Sequence, residues 1–355
     1  MRMSMSLKFL YCSGIILSLL GAAQPVLAAP TVIKVAVVTP EGSAWVHVLK
    51  QMVAQIETQT QGAVTFKIYP GGVSGDEADV LRKMRVNRLQ AGGFSGVGLG
   101  FILPQIRILE APLLFHNDQE IDYVREQMFD QFAAAFEQKG YVLLGFAEGG
   151  WVYLFSKEDL SADKRLKEAK MWVWEGDQVA EAFLNSFGVR TTPLHIADVN
   201  TGLETGMIDA FYAPPMAAVA FQWHARIQYV LDYPLANSTA ALLMNKRAFY
   251  ALSDDQQHIV RTQARAHCRK LVEMTRRDNR KALQIMREKG IALVKPTAQQ
   301  VAEFASDSRK TYARSIPDLY PQALFDRIQS ILKAYRATAG QAARSTVDGG
   351  TKGSQ

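Results

Sequence analysis

Apolar and polar positions along this chain fall into blocks of different period. "VIKVAVV" at 32–38 is a β-branched run that predicts a strand, and apolar residues at helical intervals from Trp45 to Thr58 predict a helix that Gly62 stops. "AVTFKIYPGG" predicts a second strand closing on a Pro-Gly turn, followed by a helix around Glu77 to Arg88 and the glycine-rich stretch "AGGFSGVGLG". Strand, helix, strand, helix predicts an α/β layer with a mostly parallel sheet. The pattern then restarts. "GYVLLGFAEGG" and "WVYLFSK" predict strands beside a domain boundary, "KMWVW" predicts another, and 177–187 predicts a helix. "DVNTGLETGMIDAFYAPP" supplies a short helix with Asp198 as N-cap, Gly206 as its stop, and a strand running into Pro214 and Pro215. After it, Ser253 and Gln256 have capping-box spacing. Ile259, Val260, Leu271, Val272, Leu283 and Met286 then recur at helical intervals up to Gly290. That is a helix of about 36 residues and ~54 Å, long enough to cross both α/β units. Beyond Ala337 the Gly, Ser, Thr and Ala content predicts disorder.

The first 29 residues stand apart. Arg2 and Lys8 precede an apolar run from Phe9 to Ala23 that leads into "VLAAP", the pattern of a signal peptide cleaved after Ala28 or Ala29. The run is shorter than the ~20 apolar residues a membrane span needs, so a soluble exported protein is predicted. Cleavage removes Cys12 and leaves Cys268 alone, which excludes an intrachain disulfide and demands a large hydrophobic core. It also removes two cations and no acid, lowering the formal net charge by two from +6. This mild excess says little about partners, and export argues against nucleic acid.

Catalytic patterns are missing. The six histidines form no H-x-x-H or HExxH pair and there is no CxxC, so no metal site is expected. "GFSGVG" departs from a nucleophile elbow at Val97, and "GVGLG" at 96–100 lacks the third glycine of a dinucleotide fingerprint. Those glycines are better suited to close approach of backbone or ligand. No acid, base and nucleophile grouping emerges, so neither an enzyme nor a cofactor is expected. "RRDNRK" at 276–281 reads as a solvated helix face, and Cys268 as a small apolar residue against the sheet.

The aromatic residues are more informative. Trp172 and Trp174 share one face of their strand, as Trp151, Tyr153 and Phe155 share one of theirs, while Phe211, Tyr212, Phe221, Trp223 and Tyr229 cluster further on. Such stripes build a buried core or line a ligand pocket, and both readings stay open on periodicity alone.

Five stretches in order, "YPGGVSGDEADVLRKMR", "LEAPLLF", "GFAEGG", "PLHIADVNTGLETGMIDA" and "NKRAFYALSDDQQHIV", give the chain from Ile33 to about Tyr312 a resemblance to a known family. The chain resembles the solute-binding proteins of tripartite ATP-independent periplasmic (TRAP) transporters, the group related to dicarboxylate-binding proteins. The resemblance implies a two-domain periplasmic α/β fold with a hinge and a long domain-spanning helix, and a ligand enclosed as the domains close. It further implies no catalysis, a monomer, and delivery to a small and a large membrane subunit for ion-driven uptake. Domain I is expected at 30–150 plus 236–275, domain II at 151–235 plus 276–337, and a disordered tail at 338–355.

Members of the family typically bind organic acids through an arginine in a "K-I-R-V-P" strand, where a bidentate pair holds the ligand carboxylate. Here that strand is Lys170-Met171-Trp172-Val173-Trp174, which sets Trp172 in the arginine position. The asparagine that usually precedes proline after "T-G-x-x-D" is replaced by Ala213, and the basic residue after "E-G-G" by Trp151 or Val152. A buried carboxylate without a cation costs several kcal/mol. The expectation is therefore an apolar or amphipathic ligand, lipid-like or aromatic, walled by Trp172, Trp174, Trp151, Phe211 and Tyr212. Phe94 and Trp45 are expected to face them from domain I, with Ser95 and Tyr212 as polar contacts. The alternatives are an organic acid held by Arg107, Lys170, Arg190 or Arg226, a cationic amine stacked on Trp172 beside Glu148, Glu175 or Asp177, and a periplasmic ligand sensor.

Overall fold

The computed structural model describes residues 29–350 apart from 162, 316 and 317; the predicted signal peptide up to Ala28 lies outside the described residues. Strands are β1 (Thr31–Ala36), β2 (Val64–Tyr69), β3 (Ala91–Ser95), β4 (Tyr141–Ser156), β5 (Lys170–Trp174), β6 (Arg190–Leu194), β7 (Ala210–Ala213), β8 (Tyr229–Asn245) and β9 (Ala292–Val294). Helices of the first half are α1 (Ala44–Gln59), α2 (Glu77–Arg85), α3 (Gly96–Ile102) and α4 (Asp118–Gln138), with a 3₁₀ turn at Pro104–Glu110. The second half contributes α5 (Asp163–Glu168), α6 (Gln178–Ser186), α7 (Val199–Thr205), α8 (Pro215–Ala220), α9 (Lys246–Tyr250), α10 (Asp254–Glu288), α11 (Ala298–Ser315) and α12 (Gln322–Gly350).

One mixed sheet runs β2-β1-β3-β8-β4-β7-β5-β6, with β9 added alongside β8. Its outer strands pair in parallel, β1 with β2 and β3, and β5 with β6 and β7, as crossover helices require. The centre differs from the mostly parallel expectation, because the long strands β4 and β8 pair antiparallel from Tyr141↔Asn245 to Ser156↔Tyr229. The expected break between "GYVLLGFAEGG" and "WVYLFSK" is instead an irregularity inside β4. Register shifts fall at Leu143/Gly145, Glu148/Gly150 and Val152/Leu154, and Gly150 holds φ +101°, a value only glycine adopts freely. The first half of β4 pairs with the end of β8 that meets β3, and its second half with the end that meets β9. Two lobes thus share two strands.

Helix α10 lies across β4, with Gly145 leaving room for Cys268. Ser253 and Gln256 form the capping box that starts it. Burial pushes the Cys268 thiol up to about 12, in keeping with a packed apolar role. One core lies under the first lobe around Phe94, Phe132 and Phe136, and another under the second around Phe155, Phe211 and Trp223. Asp198 precedes α7 but makes no side-chain cap, whereas Gly206 ends it at φ +74°. The sequence beyond Ala337 differs from its disordered expectation as far as Gly350, through which α12 continues; 351–355 lie outside the described residues.

Candidate functional site

Between the lobes lies a cavity of about 860 Å³, its solvent-open mouth included. The second lobe supplies an aromatic wall. Trp172 and Tyr212, on the neighbouring strands β5 and β7, stack at 5.5 Å and 20°. Trp174 continues the stack at 6.5 Å from Trp172, and Trp223 meets Trp172 edge-on at 5.2 Å. The Trp172 indole N–H donates to the Leu194 carbonyl at 3.1 Å, which fixes the ring although only 2 % of the residue is exposed. Phe183, Leu184, Ile196, Phe221 and Leu235 complete the apolar lining.

The polar end joins the two lobes. Arg107, from the 3₁₀ turn of the first lobe, donates through Nη2 to Asp177 Oδ1 of the second at 2.6 Å. Its Nε lies 2.8 Å from Glu110 Oε2, an ion pair too bent to be a hydrogen bond. Asp177 also accepts from Ala180 N at 3.1 Å and from the Tyr212 hydroxyl at 2.5 Å, while Glu110 accepts from Thr239 N at 2.7 Å. All three charged groups are buried. Burial, countered by Arg107 and reinforced by Asp177, lifts the Glu110 carboxyl to about 7. Burial together with Asp177 raises the Tyr212 phenol well above its ordinary range, so it stays a neutral donor. Gly96 makes this packing possible, since a Cβ there would stand 2.0 Å from Glu110.

Nearer the mouth, Asp76 has two tasks. Its Oδ1 caps α2 at Glu77 N, and its Oδ2 accepts from the Trp174 indole N–H at 3.1 Å across the cleft. His195 Nδ1 lies 3.3 Å from the same oxygen and His195 Nε2 lies 2.9 Å from Glu175.

Such a cavity has the form of a small-molecule site: concave, mostly apolar, and set between two lobes. A family model described as bacterial extracellular solute-binding protein, family 7, matches residues 35–317. The chain belongs to this family. The fold is that of TRAP periplasmic solute-binding proteins, which have two domains. The TRAP solute-binding protein of Haemophilus influenzae with bound L-gulonate matches at a TM-score of 0.80 and 19% identity, over 86% of this chain and 99% of that one. The sugar acid binding protein DctPAm of Advenella mimigardefordensis, in complex with galactonate, matches at 0.81 and 16%, over 86% and 98%. The ectoine/5-hydroxyectoine-binding periplasmic protein UehA of Ruegeria pomeroyi is 26% identical over 208 residues, 56% of this chain and 60% of that protein. The match therefore spans less than two thirds of that relative's length. The 2,3-diketo-L-gulonate-binding periplasmic protein YiaO of Escherichia coli is 26% identical over 251 residues, 67% of this chain and 73% of that protein. These relatives are solute-binding proteins of transport, not enzymes. Among the described residues, no helix is long and apolar enough to cross a membrane.

In this chain, Trp172, Trp174, Tyr212, Ala213 and Ser95 line the cavity together. Four other residues expected there do not. Phe94 points into the first-lobe core because strand alternation gives the cavity face to Ser95. Phe211 stacks on Phe155 at 4.9 Å within the second core. Trp45 packs on Gly93, away from the lining. Trp151 turns to the rear, where its indole N–H donates to Asp118 at 2.7 Å, and Val152 takes the cavity side. Of the four candidate cations only Arg107 reaches the lining; Lys170 bonds the Gly206 carbonyl, Arg226 pairs with Glu204, and Arg190 is exposed. Glu148 is committed to Arg125 and Arg276, and Glu175 stands at the exposed rim.

The lining residues that sequence reasoning passed over include the polar groups of Glu110, as partner of Arg107, and Asn237, together with the apolar Phe183, Leu184, Ile196 and Leu235. A signal existed for the first pair: Arg107 and Glu110 sit three apart inside the apolar run Ile106, Ile108, Leu109 and Ala111, where lone charges need each other.

Proposed function

We propose that this protein is the periplasmic solute-binding subunit of a TRAP transporter, capturing an apolar or amphipathic solute as its lobes close and delivering it to a small and a large membrane subunit. The single observation behind the ligand class is the composition of the cavity. An indole stands where acid binders of the family carry arginine, and Arg107, the one cation of the lining among the described residues, already faces two carboxylates. Burying an aromatic or alkyl solute there gains about 25 cal/mol per Å² of apolar surface. Contacts with both lobes at once, available only when they close, make binding shift the equilibrium toward the closed form.

Relatives named above carry sugar acids or bear the name of ectoine, which supports a second reading: an organic acid received by Arg107. Extraction of the purified protein with organic solvent, followed by untargeted mass spectrometry, decides between them. A stoichiometric lipid-like or aromatic compound is the expected result. Recovery of a small organic acid that rebinds tightly, with aromatic compounds inert in calorimetry, would sink the apolar reading and leave Arg107→Ala as the next variant to titrate.

A further inference from the structure

We infer that the polar end of the solute is an ammonium group, received by Asp177 and Glu110 beside the Trp172–Trp174 wall, so that the solute class is an amine-bearing amphiphile. This rests on the reading of the cavity as the solute site and sharpens it. Among the described residues, the charged ones of the lining are Arg107, Glu110 and Asp177, one positive and two negative. With Glu110 ionised, an incoming carboxylate would set three negative groups against one positive in a largely desolvated space, whereas an ammonium makes it two against two.

Hydrogen-bond capacity agrees. A pair of carboxylates offers about eight lone-pair sites. Here Asp177 accepts from Arg107, Ala180 N and Tyr212, and Glu110 accepts from Thr239 N while Arg107 Nε approaches it at a poor angle. Acceptor sites are left over, and an ammonium brings three donors to them. The remaining N–H groups of Arg107 suit a neutral oxygen of the solute. Aromatic faces along the same wall add attraction for a cation. Lys170, Arg190 and Arg226 stay away from the lining, and Arg125, outside it, is held by Glu148 at 2.7 Å.

The sign of the pH dependence follows from the groups around Glu110. These are Arg107 on its own turn, Asp177 from the second lobe, Arg125 from α4 and the Thr239 amide from β8, with burial lifting the carboxyl to about 7. An ammonium favours the ionised carboxylate, so its affinity rises with pH through that region, while an anion's falls.

The test is calorimetric titration of the full mature chain with phenylalkyl probes of matched length, an amine, an alcohol and a carboxylate, at about pH 6 and about pH 8. The amine is expected to bind about tenfold or more tightly than the alcohol, with the carboxylate weakest and the amine's advantage larger at the higher pH. Glu110→Gln and Asp177→Asn should erase the advantage of the amine over the alcohol, with circular dichroism confirming that each variant folds; a folded variant that keeps the full advantage would overturn the assignment. If alcohol and amine bind alike, or the carboxylate binds best, the ammonium assignment is overturned and the aromatic cavity stands. If no member of the series binds, the apolar reading of the cavity falls with it.

Discussion

Trp172 is held on three sides, by Tyr212, Trp174 and Trp223, and its N–H is occupied by a backbone carbonyl. Its replacement by alanine removes stacking and leaves a void, so Trp172→Ala should cost about 3–5 kcal/mol in urea denaturation. Trp172→Phe, which retains most of the packing, should lose well under half of that. Glu77 poses a different problem. It is buried beneath the cavity and accepts from Ser95 N, Ser95 Oγ and Gly98 N, yet burial outweighs these bonds and lifts its carboxyl from 4.5 to about 7. Between those values the folded chain holds a proton that the unfolded chain has released. Stability therefore falls as pH rises across the window and levels off above about 7, a change of roughly 3 kcal/mol for this residue. Melting temperature followed from about pH 5 to about pH 7.5 checks the direction, and Glu77→Gln should reduce the slope, leaving the part that Glu110, lifted to about 7 as well, adds in the same sense. At this scale the pairing of Trp172 and Trp174 was legible because strand period puts alternate residues on one face. The ion cluster was not, because Asp177 lies 70 residues from Arg107 and nothing local to either announces the other.

Among the elements, the join between lobes rests on β4, β8 and α10. Asn279 of α10 donates to the Gly149 carbonyl of β4 at 2.8 Å and accepts from Met216 N of α8 at 2.8 Å, so one side chain ties the helix to the irregular part of the strand and to the second lobe. Asn279→Ala should cost about 1 kcal/mol or more by leaving two half-buried backbone groups without their partner. Hydrogen exchange at Met216 should accelerate more than at Val260, far along the helix. Helix α10 was readable from its capping box and long apolar stripe. The two crossing strands were harder. Gly149 and Gly150 look like a break when they are a bulge within β4, and β8 carries Pro234, Asn237, Ser238 and Thr239 in its middle, which hide its alternation. Those same polar residues have a reason to be there, since Asn237 and Thr239 both accept from Arg125.

For the whole molecule, the two lobes are joined across the cleft by the protein's own side chains. Arg107 with Asp177 and Asp76 with Trp174 both span the cleft, and Gly176 leaves space for Phe101 of the opposite lobe. Asp76→Asn separates these tasks. The amide can still cap α2 through its oxygen, but it presents an N–H to the Trp174 indole and removes the acceptor. Small-angle scattering of the unliganded variant should then give a larger radius of gyration than the wild type, with melting little changed. An unchanged radius would mean that the rim contact contributes nothing to closure.

The five tryptophans are also distributed in a way that separates two events. Trp172, Trp174 and Trp223 surround the cavity, whereas Trp151 occupies the rear of the crossing strands beside Asp118, Arg276 and Asn279. A solute entering the cavity would alter the ring-current and solvent environment of the first group; bending of β4 and β8 would alter that of Trp151. With fluorinated tryptophan, a single fluorine spectrum would carry an occupancy signal and an angle signal on different resonances. The chain thereby contains its own gauge for asking whether the lobes come together before the solute arrives or because of it.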